Sequence, residues 1–358
     1  MDDGLPLAPE ELDAAWLTGA LQRRFPGVAV AGVVIGRIDE VTNTHVRLDV
    51  EYATADDTLP TRMFGKLPPL DPERRAALGA SNMGPRESRF YRDLAPRLSF
   101  RVPDAYVTEH DDRDRTFVVL LEDLDVSGCT VSDGTRGVQP DAAARALEEL
   151  AELHVLFEDP ARRDAEAGWI PEATHGSRYG ANLLQYGLDH HRDRLSADFA
   201  SIAQLYIDDI PALQAAWHTE PMTVVHGDPH LGNLFDDHGR VGFLDWGLIN
   251  VSSPMRDVSY FLNMSLDIDD RRTSEVGLIR HYLDARRGFG GIDLSFDDAW
   301  LAHRVHAAYT VPACCQIVAF PENISAARRT FSNAFLARAE AAIDDLDARG
   351  ALRHVVGR

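Results

Sequence analysis

Two short apolar runs in this 358-residue chain each stop at a carboxylate. Thr223-Val224-Val225 leads into His226-Gly227-Asp228-Pro229-His230-Leu231-Gly232-Asn233, and residues 241–244 lead into Asp245-Trp246-Gly247. Apolar runs of this length predict buried strands, so Asp228 and Asp245 are expected to lie close together. Asp228 can take a proton from, or orient, an attacking hydroxyl, while the Asp245 carboxylate and the Asn233 amide oxygen hold a cation. Magnesium suits that pair, because it prefers hard oxygen ligands and usually keeps several waters. Together these groups are what phosphoryl transfer asks for.

Plainer explanations of the same residues stand beside this one. Asp228 before Pro229 can be a turn residue, and Asn233 beside Gly232 a loop tip. A two-metal phosphoesterase also uses Gly-Asp and Gly-Asn pairs, but it needs further His and Asp ligands at several strand ends. The sequence offers neither an Asp-x-His pair on an early strand nor a late Gly-His-x-His.

The elements that must position these groups follow from periodicity. A helix is expected over residues 10–25, with acidic residues in its first turn and Leu12, Trp16 and Ala20 at helical spacing. Strand-like runs at 28–35, 45–52 (strictly alternating) and 61–67 predict an antiparallel sheet. Lys66 closes the third run, and Glu87 lies in a helical stretch, 85–94, whose Phe90, Tyr91 and Leu94 make one apolar face. Residues 36–44 read as the turn between the first two strands. The continuous β-branched run 116–121 is a buried strand followed by Glu122-Asp123-Leu124. Residues 125–140, rich in Gly, Ser, Thr and Asp, read as a linker.

Beyond the linker the chain is mostly helical. Residues 141–157 place Leu147, Leu150, Ala151, His154 and Phe157 on one buried stripe, where His154 reads as a hydrogen-bonded core residue. Helices are expected at 181–196 and 199–217. Gln185, Asp189, His190 and His191 suit either a pocket wall or a surface. Another helix starts at Pro254, and further helices cover 274–286, 296–313 and 324–346.

The pair His226-Gly-Asp228-x-x-x-x-Asn233 and Leu244-Asp245-Trp246 is similar to the catalytic and metal-binding loops of the aminoglycoside phosphotransferase-like and choline kinase-like small-molecule kinases. The resemblance covers roughly Val34 to Leu262 and includes the Glu-x-x-Phe-Tyr pattern at Glu87. It implies an α+β, two-lobed protein-kinase-like fold, with a small antiparallel β-sheet N-lobe and a mostly helical C-lobe. Residues 1–124 would be the nucleotide-binding lobe and 125–358 the lobe with the catalytic and metal-binding loops and the acceptor pocket.

The resemblance also implies roles. Asp228 would be the catalytic base, and Asn233 and Asp245 would bind Mg2+. Lys66, paired with Glu87, would grip the phosphates of ATP or GTP, and the segment Glu122 to Leu124 would be the hinge whose main chain meets adenine. His226 and Trp246 would brace and pack. Asp257 would either accept bonds from the catalytic-loop backbone or cap its own helix. One departure is plain: residues 36–44 lack the glycine-rich pattern that covers the phosphates in protein kinases. Thr42 and Asn43 can still offer hydroxyl and backbone N–H groups there, provided Asp39 and Glu40 turn away. A γ-phosphate would pass to the hydroxyl of a small molecule; the other class open to the sequence is a nucleotide-binding, pseudokinase-like module without turnover.

Composition narrows the partners. With 36 Lys and Arg against 57 Asp and Glu, the formal charge is −21, which disfavours nucleic acid and suits a cationic acceptor as well as simple solubility. Three cysteines, 129, 314 and 315, are no disulfide framework and fit a reducing cytoplasm. The acidic start Met1-Asp2-Asp3-Gly4 does not resemble a leader, and no apolar run is long enough to span a membrane.

Overall fold

A computed structural model describes residues 4–173, 178–322 and 324–356. Met1, Asp2 and Asp3 of the acidic start therefore lie outside the described residues. The chain forms two compact units, one built from the residues up to Val131 together with 235–238 and 242–249, the other from 132–234, 239–241 and the chain from Asn250 onward.

The first unit opens with helix α1 (Ala14–Leu21), whose N-terminus is fixed by Asp13 accepting the Trp16 N–H. The helix expected from residue 10 starts later because Pro9–Glu11 form a separate single turn. Then come β1 (Val30–Glu40), β2 (Thr44–Tyr52), β3 (Arg62–Leu67), α2 (Pro72–Gly79), α3 (Met83–Arg89), β4 (Ala105–Asp111), β5 (Thr116–Glu122) and the short β6 (Thr130–Val131). Five strands make one antiparallel sheet in the order β1-β2-β3-β5-β4. The alternation read from the sequence is the reason: Val46, Leu48 and Val50 turn inward onto Leu17 and Leu21 of α1 and onto Met63, Val118 and Leu120.

The expected turn at 36–44 is corrected. β1 continues to Glu40 through an irregularity between Ile35 and Ile38, and only residues 41–43 turn before Thr44 starts β2. Arg37, Asp39 and Glu40 misled the reading because an edge strand has a solvated side and need not be apolar.

The second unit carries α4 (Pro140–Leu156), α5 (Pro160–Ala167), α6 (Tyr179–His191), α7 (Ala197–Asp208), α8 (Ile210–Trp217) and β7 (Thr223–Val225). Next in the chain come β8 (Leu234–Asp237) and β9 (Arg240–Phe243), which largely belong to the first unit, where β8 pairs with β6 at Thr130 and Val131. The chain then runs through β10 (Asn250–Ser252), α9 (Pro254–Ser265), α10 (Ile268–Gly288), α11 (Phe296–Ala307), α12 (Thr310–Ala313), α13 (Ala326–Asp345) and α14 (Ala348–Val356). The helix expected over 199–217 is two helices, because Asp209 accepts the Ala212 N–H and, with Pro211, starts α8 afresh. Every residue of α9 is buried; of its polar members, Asp257 accepts from loop backbone and Ser259 meets His303. α9 sits against β7, which pairs with β10.

Among the described residues no helix is long and apolar enough to cross a membrane. Cys129, Cys314 and Cys315 are all free thiols.

Candidate active site

In the first unit, three charged side chains meet. The Lys66 ammonium donates to Glu87 Oε1 at 2.7 Å and to Asp245 Oδ1 at 3.2 Å. Lys66 and Glu87 are buried, whereas the Asp245 side chain is 44% exposed. Strand geometry fixes the lysine, since Lys66 on β3 is flanked by His45 on β2 and Val119 on β5. Close packing fixes the glutamate: a Cβ on Gly84 would fall 1.9 Å from the Phe117 ring, so only glycine lets α3 lie this tightly on β5 and carry Glu87 to Lys66.

Burial alone would discharge Lys66, but Asp245 and Glu87 outweigh it and hold the ammonium well above its usual range. Burial pushes the Glu87 carboxyl upward, opposed by Lys66 and by the Trp246 N–H that it accepts. The neighbouring His45 is pushed down to about 4 by burial and by the Lys66 charge, so its imidazole is neutral beside the ammonium.

Glu87 thus ties Lys66 to the backbone next to Asp245. Asp245 itself has φ 60° and ψ 63°, a left-handed conformation that costs a non-glycine residue energy and persists only when its surroundings over-determine it. Trp246 supplies much of that. Its ring is fully buried, stacked on Phe90 with centroids 3.8 Å apart and planes within 6°, and it faces Phe100 at 5.6 Å.

Asp39 pairs with Arg37 at 2.7 Å, and Glu40 with Arg74 at 3.6 Å and with the Thr44 hydroxyl. Thr42 and Asn43 line a pocket together with Pro68, Pro69, Arg75 and Arg115.

At the expected hinge, the Glu122 carboxylate accepts from Arg101 at 2.8 Å and from the Asp104 N–H at 3.1 Å. Burial would raise it, yet the donated bonds, led by Arg101, hold it below the usual carboxylate range. Leu124 is buried in a small cluster with Cys129, Phe235 and Leu244. Arg101 had no mark in the sequence. Its Nε also donates to Asp237 at 2.7 Å and its main-chain oxygen accepts the Phe243 N–H, so one arginine fastens strand end and returning segments.

In the second unit, Asp228 and Asn233 lie together. The Asn233 amide nitrogen donates to the Asp228 carbonyl at 3.0 Å and to its Oδ2 at 3.1 Å. With both N–H groups committed, the amide oxygen is the atom left for a ligand. His226 is buried and its Nδ1 accepts the Asp228 N–H at 3.2 Å, a bracing contact that shapes the turn at Gly227, where φ is 86°.

Asp257 had two readings, and its contacts decide between them. Its carboxylate accepts the His226 N–H at 2.6 Å and the Gly227 N–H at 2.9 Å, while Ser253 occupies the N-cap of α9. Burial would raise Asp257, but bonds from His154 and Gly227 keep it below the usual range. His154 is the hydrogen-bonded core histidine expected: burial lowers it, Nε2 lies 3.3 Å from Asp257 Oδ2, and Nδ1 lies 2.7 Å from the Tyr282 hydroxyl. On α6, Gln185 donates to Asp189 at 2.8 Å and both line an open groove with Arg192, Ser201 and Gln204, while His190 and His191 pack on Tyr186.

The model of the phosphotransferase enzyme family (APH) matches residues 52–292, well over half of the chain. The chain therefore belongs to that family, and its class of activity is small-molecule phosphotransfer. Solved structures agree on the fold. A putative aminoglycoside phosphotransferase from Ralstonia eutropha superposes with a TM-score of 0.54 at 14% identity, covering 96% of this chain and 99% of that one. A choline kinase from Cryptosporidium parvum gives 0.54 at 9% identity, covering 95% of this chain and 98% of that one. The fold is α+β and protein-kinase-like. No curated protein matches the chain in sequence.

Proposed function

We propose that the protein transfers the γ-phosphate of ATP or GTP to a hydroxyl of a small molecule, with Asp228 as base. The acceptor hydroxyl gives its proton to the Asp228 carboxylate as its oxygen bonds to the γ-phosphorus; the bond from that phosphorus to the bridging oxygen breaks, and nucleoside diphosphate leaves. Residues 1–124 would serve the nucleotide, with Lys66 on its phosphates, Thr42 and Asn43 beside them, and main chain from Glu122 to Leu124 at the base. Residues 125–358 would carry the acceptor, and the charge of −21 favours a cationic one over a polyanion.

The observation that carries this reading is the buried Lys66, kept charged between Glu87 and a half-exposed Asp245. A cation so placed is set to trade a carboxylate partner for phosphate oxygens.

Asn233 and Asp245 would hold magnesium, which supplies charge neutralisation on the phosphates. The donors fit: an amide oxygen left over by two committed N–H groups, and a carboxylate open to solvent. Among the described residues no group of three or more His, Cys, Asp or Glu could hold a metal by itself. A two-metal phosphoesterase would need such a group.

Thermal unfolding with nucleotide tests the binding half. ATP or GTP with magnesium should raise the melting temperature by a few degrees, since a ligand at a hundredfold excess over Kd stabilises by about 2.7 kcal/mol. Omitting magnesium should remove most of the rise. No shift with either nucleotide would defeat the reading, and a shift without any phosphate release across a screen of hydroxylated small molecules would favour the module without turnover.

A further inference from the structure

Asp257 belongs to a longer chain of bonds than the two it accepts from the catalytic loop. On its other side His154 Nε2 lies 3.3 Å from Asp257 Oδ2, His154 Nδ1 lies 2.7 Å from the Tyr282 hydroxyl, and Arg286 Nη1 lies 3.5 Å from that hydroxyl. Glu158 closes the far end, its carboxylate accepting from Arg286 Nη2 at 2.6 Å and from the Ile292 N–H at 2.5 Å. His154, Asp257, Tyr282 and Arg286 are at most 1% exposed, so they must satisfy one another.

The two ends dictate which way the protons point. A guanidinium only donates, so Arg286 occupies a lone pair of the Tyr282 oxygen and the phenol proton is directed to its other neighbour, His154 Nδ1. An ionised carboxylate only accepts, so Asp257 needs a proton on His154 Nε2. Burial disfavours the charged ring, and both demands agree on one neutral tautomer, with the hydrogen on Nε2. The opposite tautomer would set a lone pair against the carboxylate where unpaired polar groups are costly. Asp257 in turn accepts the N–H groups of His226 at 2.6 Å and Gly227 at 2.9 Å, the two residues before Asp228.

We infer that Tyr282, through the tautomer it imposes on His154, is a positioning residue for phosphoryl transfer: it keeps Asp257 oriented on the catalytic-loop backbone and so keeps Asp228 in place. The role in transfer rests on Asp228 being the base; the tautomer does not. Nothing near Tyr282 marks it in the sequence, since a tyrosine four residues before an arginine on a helix reads as an ordinary neighbouring pair.

Two measurements test this. In protein carrying isotope-labelled histidine, long-range proton–nitrogen spectra distinguish the tautomers of the His154 ring, assigned through its own backbone. The parent should show Nε2 protonated and Nδ1 bare, and Tyr282→Phe, which removes one oxygen and keeps the ring, should lose that single state. The second measurement follows phosphate release from nucleotide and magnesium with water as acceptor, alongside nucleotide KM and melting temperature. Ser259→Ala is the matched control, because it breaks a buried bond on the same helix α9, one that runs to His303 Nδ1 at 2.9 Å and not to the loop. Both variants should melt a few degrees lower. Tyr282→Phe alone should also lower kcat about tenfold, the scale of one buried hydrogen bond, with KM unchanged. A parent spectrum with Nδ1 protonated overturns the inference and needs no variant to fold. An unchanged kcat in Tyr282→Phe, or equal losses in both variants, overturns it as well. Asp228→Asn, run in parallel, separates the two claims: if it retains turnover, the assignment of the base fails while the tautomer of His154 stands.

Discussion

Asp228→Asn is expected to lower phosphate transfer by about 10²–10⁴-fold, the range in which a positioned general base contributes. The amide keeps the size of the side chain and can still meet Asn233, so the fold should be unaffected and nucleotide should bind as before. What is lost is the acceptor of the hydroxyl proton. Single-turnover transfer, which isolates chemistry from product release, is the measurement to make. A kcat within twofold of the parent, with nucleotide KM also unchanged, would remove Asp228 from the role. The loss should appear with water as well as with a true acceptor, because both have to surrender a proton.

Lys66→Met should be nearly as severe for a different reason, and should show two effects at once. The ammonium is the one cation in the cluster with Glu87 and Asp245, so its removal takes away a charge aimed at phosphate, a change that costs about 10²–10³-fold in comparable sites. It also leaves Glu87 buried with its cation gone. Breaking a buried pair by deleting one partner costs about 3–5 kcal/mol, so the melting temperature should fall by several degrees. The double variant Lys66→Met with Glu87→Gln separates the effects. Neutralising the stranded carboxylate should restore most of the lost stability and none of the transfer. If the single variant melts like the parent, the pair is not the buried ion pair described here.

The parts of this site that were legible in the sequence are the local ones. His226 to Asn233 and Leu244 to Trp246 lie within a few residues of a strand end, so their composition and spacing alone suggested the chemistry. Lys66 and Glu87 could be paired because each sat at a recognisable place on a strand or helix. Contacts between distant segments left no such mark. Arg101 gathers Glu122, Asp237 and the Phe243 backbone from three stretches, and Ser265 reaches the Pro229 carbonyl across 36 positions.

The fold divides the same way. β2 declared itself by strict alternation, but β4, Ala-Tyr-Val-Thr-Glu-His-Asp, did not, because it buries only Val107 fully and its polar residues hide the period. α2 buries no residue at all and was invisible to a search for apolar stripes. α10 begins at Ile268, six residues before the expected start, because its first turns are built on charge. Arg271 there is 1% exposed and satisfied by Glu275 and Asp345. A buried arginine serves as core once its partners come from elsewhere in the chain, which periodicity cannot foresee.

The central claim is that Asn233 and Asp245 hold one divalent ion on the nucleotide phosphates. It is tested most directly by a crystal structure with a non-hydrolysable nucleotide and manganese in place of magnesium, read by anomalous scattering. The account predicts a peak bonded to the Asn233 amide oxygen and the Asp245 carboxylate, with the Lys66 ammonium on a phosphate. A peak held by other side chains, or a nucleotide bound away from Lys66, would contradict it.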